Sequence, residues 1–149
     1  METQTASQPT TRIDVAPGGF EALVVEESRR RPVLVDFWAP WCGPCRTLGP
    51  VLERLAAQGG GAWLLAKVNV DDDPEVAGRF GVQGIPAVKA FRGGQVVDEF
   101  VGAIPEAQVR RWLERIVPGP ADQAFAAAQA LLAAEPKEAR AALERGLTL

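Results

Sequence analysis

Cys42 and Cys45 are the only cysteines among 149 residues, and the chain contains no histidine. Two thiols separated by Gly43 and Pro44 could ligate a metal, anchor a haem or exchange with a disulfide. The rest of the composition discriminates among these uses. A structural zinc site takes four ligands, mostly Cys and His, and neither a second Cys pair nor a His exists here. Attachment of a c-type haem needs a His directly after the second Cys, where this chain has Arg46. Ser–His and Cys–His catalysis is excluded for the same reason. Thiol–disulfide chemistry remains, with no metal and no separate cofactor expected.

That chemistry needs one thiol activated and the other close behind it. Val33-Leu34-Val35-Asp36-Phe37-Trp38 is an apolar run of strand length that stops just before Ala39-Pro40. Beyond the cysteines, Leu48, Val51, Leu52, Leu55 and Ala56 recur at helical spacing. Cys42 thus falls at a helix N-terminus, where unpaired N–H groups and the helix dipole stabilise a thiolate. Pro44 is tolerated in the first turn because its missing N–H would have no intrahelical partner. Cys42 is the expected nucleophile. Cys45, a turn further in and expected to be more shielded, is the resolving thiol. The intervening Gly43-Pro44 supplies no positive charge that would push the pair toward an oxidant.

Resolution releases a proton from Cys45, and Asp36 is the candidate acceptor. It is the one charge in its apolar run, and desolvation there raises a carboxyl pKa toward the working pH. Lys67, in the neighbouring strand, could partly offset that rise. The same two residues also read as a structural ion pair, since such pairs carry shifted pKa values as well. Lys89 is a second lysine in an otherwise apolar strand, facing a solvated edge or covering the tail.

The surrounding pattern supplies the frame. Arg12 to Val15 reads as a short strand, and Gly18 to Ser28 as an amphipathic helix with Phe20, Leu23 and Val24 inward. Val33–Trp38 is a strand buried on both faces. A helix over 42–57 follows, kinked at Pro50 and ended by Gly59-Gly60-Gly61. Trp63 to Val70 is another buried strand, and Asp73-Pro74 caps a short helix to Phe80. Ala87 to Phe91, a turn at Arg92-Gly93-Gly94-Gln95 and Val96 to Val101 form a hairpin. Pro105 to Ile116 is a helix with Val109, Trp112, Leu113 and Ile116 on one face. Pro86 opens its strand, and from the residues alone its peptide bond takes the common trans form.

Alternating units ending in a hairpin predict an α/β fold: a mixed central sheet, mostly parallel, flanked by helices with an antiparallel edge. The expected organisation is a disordered tail over 1–11, a domain over 12–117, a linker over 118–120 and a helical hairpin over 121–149. A net charge of −3 argues against a nucleic-acid partner. The run Arg29-Arg30-Arg31 beside Glu26 and Glu27 reads as a solvated helix end rather than a contact patch. The polar N-terminus has no signal-peptide pattern, and no apolar stretch reaches a membrane span's length. A cytoplasmic location is therefore expected, where a reducing environment makes a lone CxxC more often catalytic than structural.

The segment Val35-Asp36-Phe37-Trp38-Ala39-Pro40-Trp41-Cys42-Gly43-Pro44-Cys45, with Pro50 beyond it, resembles the active-site segment of the thioredoxin family. Lys67, Gly84-Ile85-Pro86, Gly94 and Gly102 match that family in order and spacing, so the likeness spans about residues 12–117. It implies a thioredoxin fold, a cis Ile85–Pro86 bond facing the cysteines, and a peptide groove lined by Trp41, Ile85, Pro86 and Gly102 beside Gly43 and Pro44. It also implies protein disulfides as substrates and a thioredoxin reductase as electron donor, with Asp36 acting on Cys45. A narrower likeness, from Gly94–Gly102, the helix end at Arg110–Pro118 and the Ala-rich stretch after it, is to the bacterial chaperedoxins. Those join such a domain to tetratricopeptide repeats and hold unfolding client proteins. Residues 121–149 make up less than one repeat, so this likeness implies a truncated, partial extension. Three functions thus stand: a protein-disulfide reductase, a redox-active holdase and a thiol oxidase, the last disfavoured by Gly43-Pro44.

Overall fold

Five strands form one sheet in the order β1-β3-β2-β4-β5 in the computed structural model, which describes residues 9–117. The expected linker and helical hairpin (118–149) and most of the expected tail (1–8) lie outside the described residues. β2 (Val33–Trp38) and β3 (Leu64–Asn69), each buried at every position but the last, pair in parallel near the centre. β1 (Arg12–Asp14) runs parallel to β3 at one edge. β4 (Ala87–Arg92) and β5 (Gln95–Val101) complete the sheet in antiparallel sense.

Alternation along the strands divides the core into two layers. Leu34, Leu65, Val88 and Ala90 face α1 (Gly43–Gly59) and α3 (Glu106–Ile116). Val33, Val35, Phe37, Leu64, Ala66 and Val68 point to the other side, under Phe20, Val24 and Val25. There Phe20, Phe80 and Phe91 form a cluster with ring centroids 5.3–5.6 Å apart. Such tilted and edge-on pairs add to simple apolar burial. No helix among the described residues is long and apolar enough to cross a membrane.

Two elements differ from expectation. The helix expected over 18–28 is a π turn, Glu21–Glu26, followed by one 3₁₀ turn, Glu27–Arg29. The wider i→i+5 winding brings Val24 and Val25 inward and leaves Leu23, expected inside, 40% exposed. The antiparallel part of the sheet also begins one strand early, at β4 rather than at the hairpin. The helix before it, α2 (Pro74–Arg79), has six residues and rises only about 9 Å, whereas a six-residue strand spans about 20 Å. The chain therefore does not return to the starting end of the sheet. It enters β4 from the end where β2 and β3 finish.

The β4–β5 turn uses Gly93 and Gly94, both at positive φ (62° and 84°). Two such central residues match the twist of the flanking strands. Ser28 fastens this turn to the first helical segment: its Oγ accepts from the Gly94 N–H and its carbonyl from the Gly93 N–H, each at 2.8 Å. In β5, Asp98 pairs with Ala90 but Val96 with Phe91, so Val97 is an extra, bulged residue. Lys89 neither lies in open solvent nor remains unpaired. It is 9% exposed, and its ammonium bonds to Glu99, its register partner on edge strand β5. The pair flanks a 530 Å³ cavity also lined by Phe80, Val82 and Ala87.

Candidate active site

β2 ends at Trp38, and four residues later α1 begins with Cys42 as its N-cap. The Cys42 Sγ accepts from the Cys45 N–H at 3.2 Å, taking one of the donors that a helix start leaves unpaired. Pro44 occupies the first turn, and the helix continues past Pro50 to Gly59. Cys42 and Cys45 are joined as a disulfide, with Cα atoms 5.3 Å apart. They are equally covered, at 4% and 5% exposure, so the expected extra shielding of Cys45 is absent in this oxidised form. The asymmetry between them is one of position: Cys42 caps the helix, and Cys45 lies within its first turn. Gly43 and Pro44 between them are exposed.

Beneath α1, on the sheet face that it covers, Asp36 and Lys67 sit side by side as register partners on β2 and β3. Asp36 is 1% exposed, and among the described residues neither carboxylate oxygen has a hydrogen-bond partner. Desolvation pushes its pKa up to about 6, opposed by the positive charge of Lys67 and assisted by the negative charge of Glu53. The Lys67 Nζ stands 3.7 Å from Asp36 Oδ2 but 2.9 Å from Glu53 Oε2. It thus reaches Asp36 through charge and spends a hydrogen bond on Glu53. It also lies 5.3 Å from the centre of the Trp38 ring, within cation–π range.

Glu53 and Gly49 are the residues that sequence reasoning missed. A signal was present: Cys45, Gly49 and Glu53 recur at i, i+4 and i+8, on one face of the helix. At Gly49 a Cβ would come within 3.2 Å of the Lys67 Nζ. The missing side chain gives the ammonium its passage along the helix to Glu53.

The third part of the site comes from the segment entering β4. The Ile85–Pro86 bond is cis, as the family resemblance implies and the residues alone did not. Ile85 packs with Trp38 and Val70 against Ala39, Cys42 and Cys45. The Pro86 carbonyl accepts from the Gly102 N–H at 2.8 Å, which ties the end of β5 to the same rim. Among the described residues the Ile85 N–H and C=O have no backbone partner. Trp41 is 66% exposed, and its indole N–H donates to Asp71 Oδ2 at 2.9 Å, a contact unforeseen from sequence. The structure therefore gathers Cys42, Cys45 and Ile85 in direct packing, with Pro86 and Gly102 attached through the backbone. Asp36 and Lys67 lie in the layer under α1. Among the described residues no group of three or more acidic or thiol side chains could hold a metal ion.

Comparison with known proteins agrees with this geometry. The family model "Thioredoxin" matches residues 12–115. Thioredoxin 1 of Nostoc sp. is 50% identical over 84 residues, covering 56% of this chain and 78% of that protein. Thioredoxin of Chlorobaculum thiosulfatiphilum is 48% identical over 95 residues, 64% of this chain and 86% of its own length. The chloroplastic thioredoxin M4 of Arabidopsis thaliana is 42% identical over 86 residues, 58% of this chain and 45% of that protein. With a matching domain, a cysteine pair bonded across the first turn of a helix and a cis-proline segment packed against it, the chain belongs to the thioredoxin family of thiol–disulfide oxidoreductases.

Proposed function

We propose that the chain is a protein-disulfide reductase that cycles between a Cys42/Cys45 dithiol and the disulfide described above. The observation that carries this reading is the bonded pair at the start of α1, with Cys42 as the cap. In the reduced form the Cys42 thiolate attacks one sulfur of a substrate disulfide. A Cys42–substrate bond forms, and the other substrate sulfur leaves as a thiolate that takes a proton from solvent. Cys45 then gives its proton to the Asp36 carboxylate and attacks the Cys42 Sγ. The mixed disulfide breaks, the second substrate sulfur leaves and is protonated, and the Cys42–Cys45 bond closes. Two electrons pass to the substrate, and a thioredoxin-reductase partner returns two to the enzyme.

Trp41, Ile85, Pro86 and Gly102 form the substrate rim in this reading. The unpaired Ile85 N–H and C=O suit an extended backbone laid alongside as an added strand. A reducing compartment such as the cytoplasm fits a Gly43-Pro44 pair that adds no charge to the thiolate. Client holding would need the helical hairpin expected over 121–149 beside the groove; that stretch lies outside both the described residues and the family match, and no observation favours it here. The test is reduction of insulin disulfides, followed by precipitation of the freed chain, with a thioredoxin reductase as donor. The wild type turns over and Cys42→Ser is inactive; activity that persists in Cys42→Ser refutes the mechanism.

A further inference from the structure

Among the charged groups around the buried carboxylate, the proposed reaction leaves Glu53 without a role. Its carboxylate, 37% exposed, holds the Lys67 ammonium at 2.9 Å, while Asp36, 3.7 Å from the same nitrogen, receives no hydrogen bond from the described residues. An ammonium has three donors, and a bare buried carboxylate is the costlier of the two groups to leave unserved. Two features hold Lys67 in the arrangement nonetheless. Gly49 opens the way along α1, since a Cβ there would press on the Nζ at 3.2 Å. Behind Glu53, the Arg12 Nε approaches its Oε2 at 3.5 Å and anchors the acid from β1.

We propose that Glu53 is a positioning residue: it draws the Lys67 ammonium toward the surface and keeps Asp36 free to take the proton of Cys45. The inference rests on Asp36 as proton acceptor and adds the group that tunes it. The surroundings of Asp36 make the assignment specific. β3 presents Lys67 and β4 presents Val88 as its register partners. From α1, the negative charge of Glu53 acts on it. α3 gives that layer Val109, Trp112, Leu113 and Ile116, while its Glu106 and Arg110 engage Arg54 and Gln58 at the surface. From β1, Arg12 bonds to Asp14 at 3.2 Å and meets the site only through Glu53.

Removing the charge of Glu53 acts on Asp36 in one direction by two routes. It deletes a nearby negative charge, and it releases Lys67 to approach; both favour the carboxylate. The experiment follows the Asp36 side-chain carboxyl by ¹³C NMR titration in the oxidised protein, where neither cysteine titrates and no histidine contributes background. Glu53→Gln is expected to lower the Asp36 midpoint by about one pH unit, the low end for an opposite charge at such range. Glu53→Ala, which also removes the tether, lowers it at least as far. In a Lys67→Met background the effect of Glu53→Gln shrinks to the direct charge effect, because the route through the ammonium is gone. An unmoved or raised midpoint in both Glu53 variants, or a full-sized shift in the Lys67→Met background, overturns the proposal. The titration needs no substrate, so a failed insulin assay would sink the reductase reading and leave this result to be judged separately.

Discussion

Two lysines, Lys67 and Lys89, occupy near-equivalent settings in the sheet. Each is 9% exposed and lies opposite an acidic register partner on the adjacent strand. The partners differ. Glu99 stands on the edge strand with its side chain 55% exposed, so water shares the burden of its charge. Asp36 lies on the central strand, 1% exposed and without a hydrogen bond among the described residues, and its pKa rises to about 6. A buried lysine beside an acid is therefore not one environment but two. What separates them is burial of the acid, together with a second acid, Glu53, that competes for Lys67.

The comparison breaks most readily in stability. The folded-state pKa of Asp36 lies above its unfolded value of 3.8. Between 3.8 and about 6 the native state therefore binds more protons than the unfolded one, and stability falls as pH rises through that window. The penalty is absent well below pH 4, complete above pH 6, and on the order of 3 kcal/mol at about 1.36 kcal/mol per pKa unit. Urea unfolding of the oxidised protein should show Asp36→Asn gaining on the wild type by most of that amount, about 2.5 kcal/mol, between pH 4 and pH 8. Glu99→Gln should show no such gain over the same range. A flat difference for Asp36→Asn would mean that burial does not govern this acid.

Turnover should separate the two pairs next. Asp36→Asn should slow insulin reduction at pH 7 by roughly tenfold or more. The lower bound is less than a typical general base contributes, because an ordinary thiol, with a pKa of about 8.5, is already a few per cent thiolate at pH 7. The first attack by Cys42 should be spared, which mixing with a chromogenic disulfide would show. Lys89→Met and Glu99→Gln should leave turnover within about twofold; a larger loss would make the second pair part of the site. The smallest effect is expected in the stability of Glu99→Gln at neutral pH, a change below about 1 kcal/mol by urea midpoint.

Much of this contrast was legible in the sequence. A lone Asp in the apolar run of β2 marks a buried acid, and the CxxC at a strand-to-helix junction marks the thiols. Strand and helix positions followed from apolar periodicity, because burial imposes that period directly. The face of the first helical segment did not, since a π turn shifts the register and no residue between Glu21 and Glu26 announces it. The direction of β4 depended on how far a six-residue helix travels, which periodicity does not record. The cis Ile85–Pro86 bond came through family likeness alone, because Ile-Pro as a dipeptide favours trans. Glu53 escaped because its spacing from Cys45 gains meaning only once Lys67 is known to cross at Gly49.

The bulge at Val97 has a consequence for how copies of this molecule meet one another. Edge strands expose unpaired backbone groups that invite a second strand, and β5 carries Val96, Val97 and Val101 at 37%, 50% and 62% exposure. The extra residue breaks the flat ladder and twists the edge locally. A second β5 aligned antiparallel about Asp98 would set acid against acid. The apolar edge is thus made a poor template for its own kind, and crowded molecules gain little from stacking sheet to sheet.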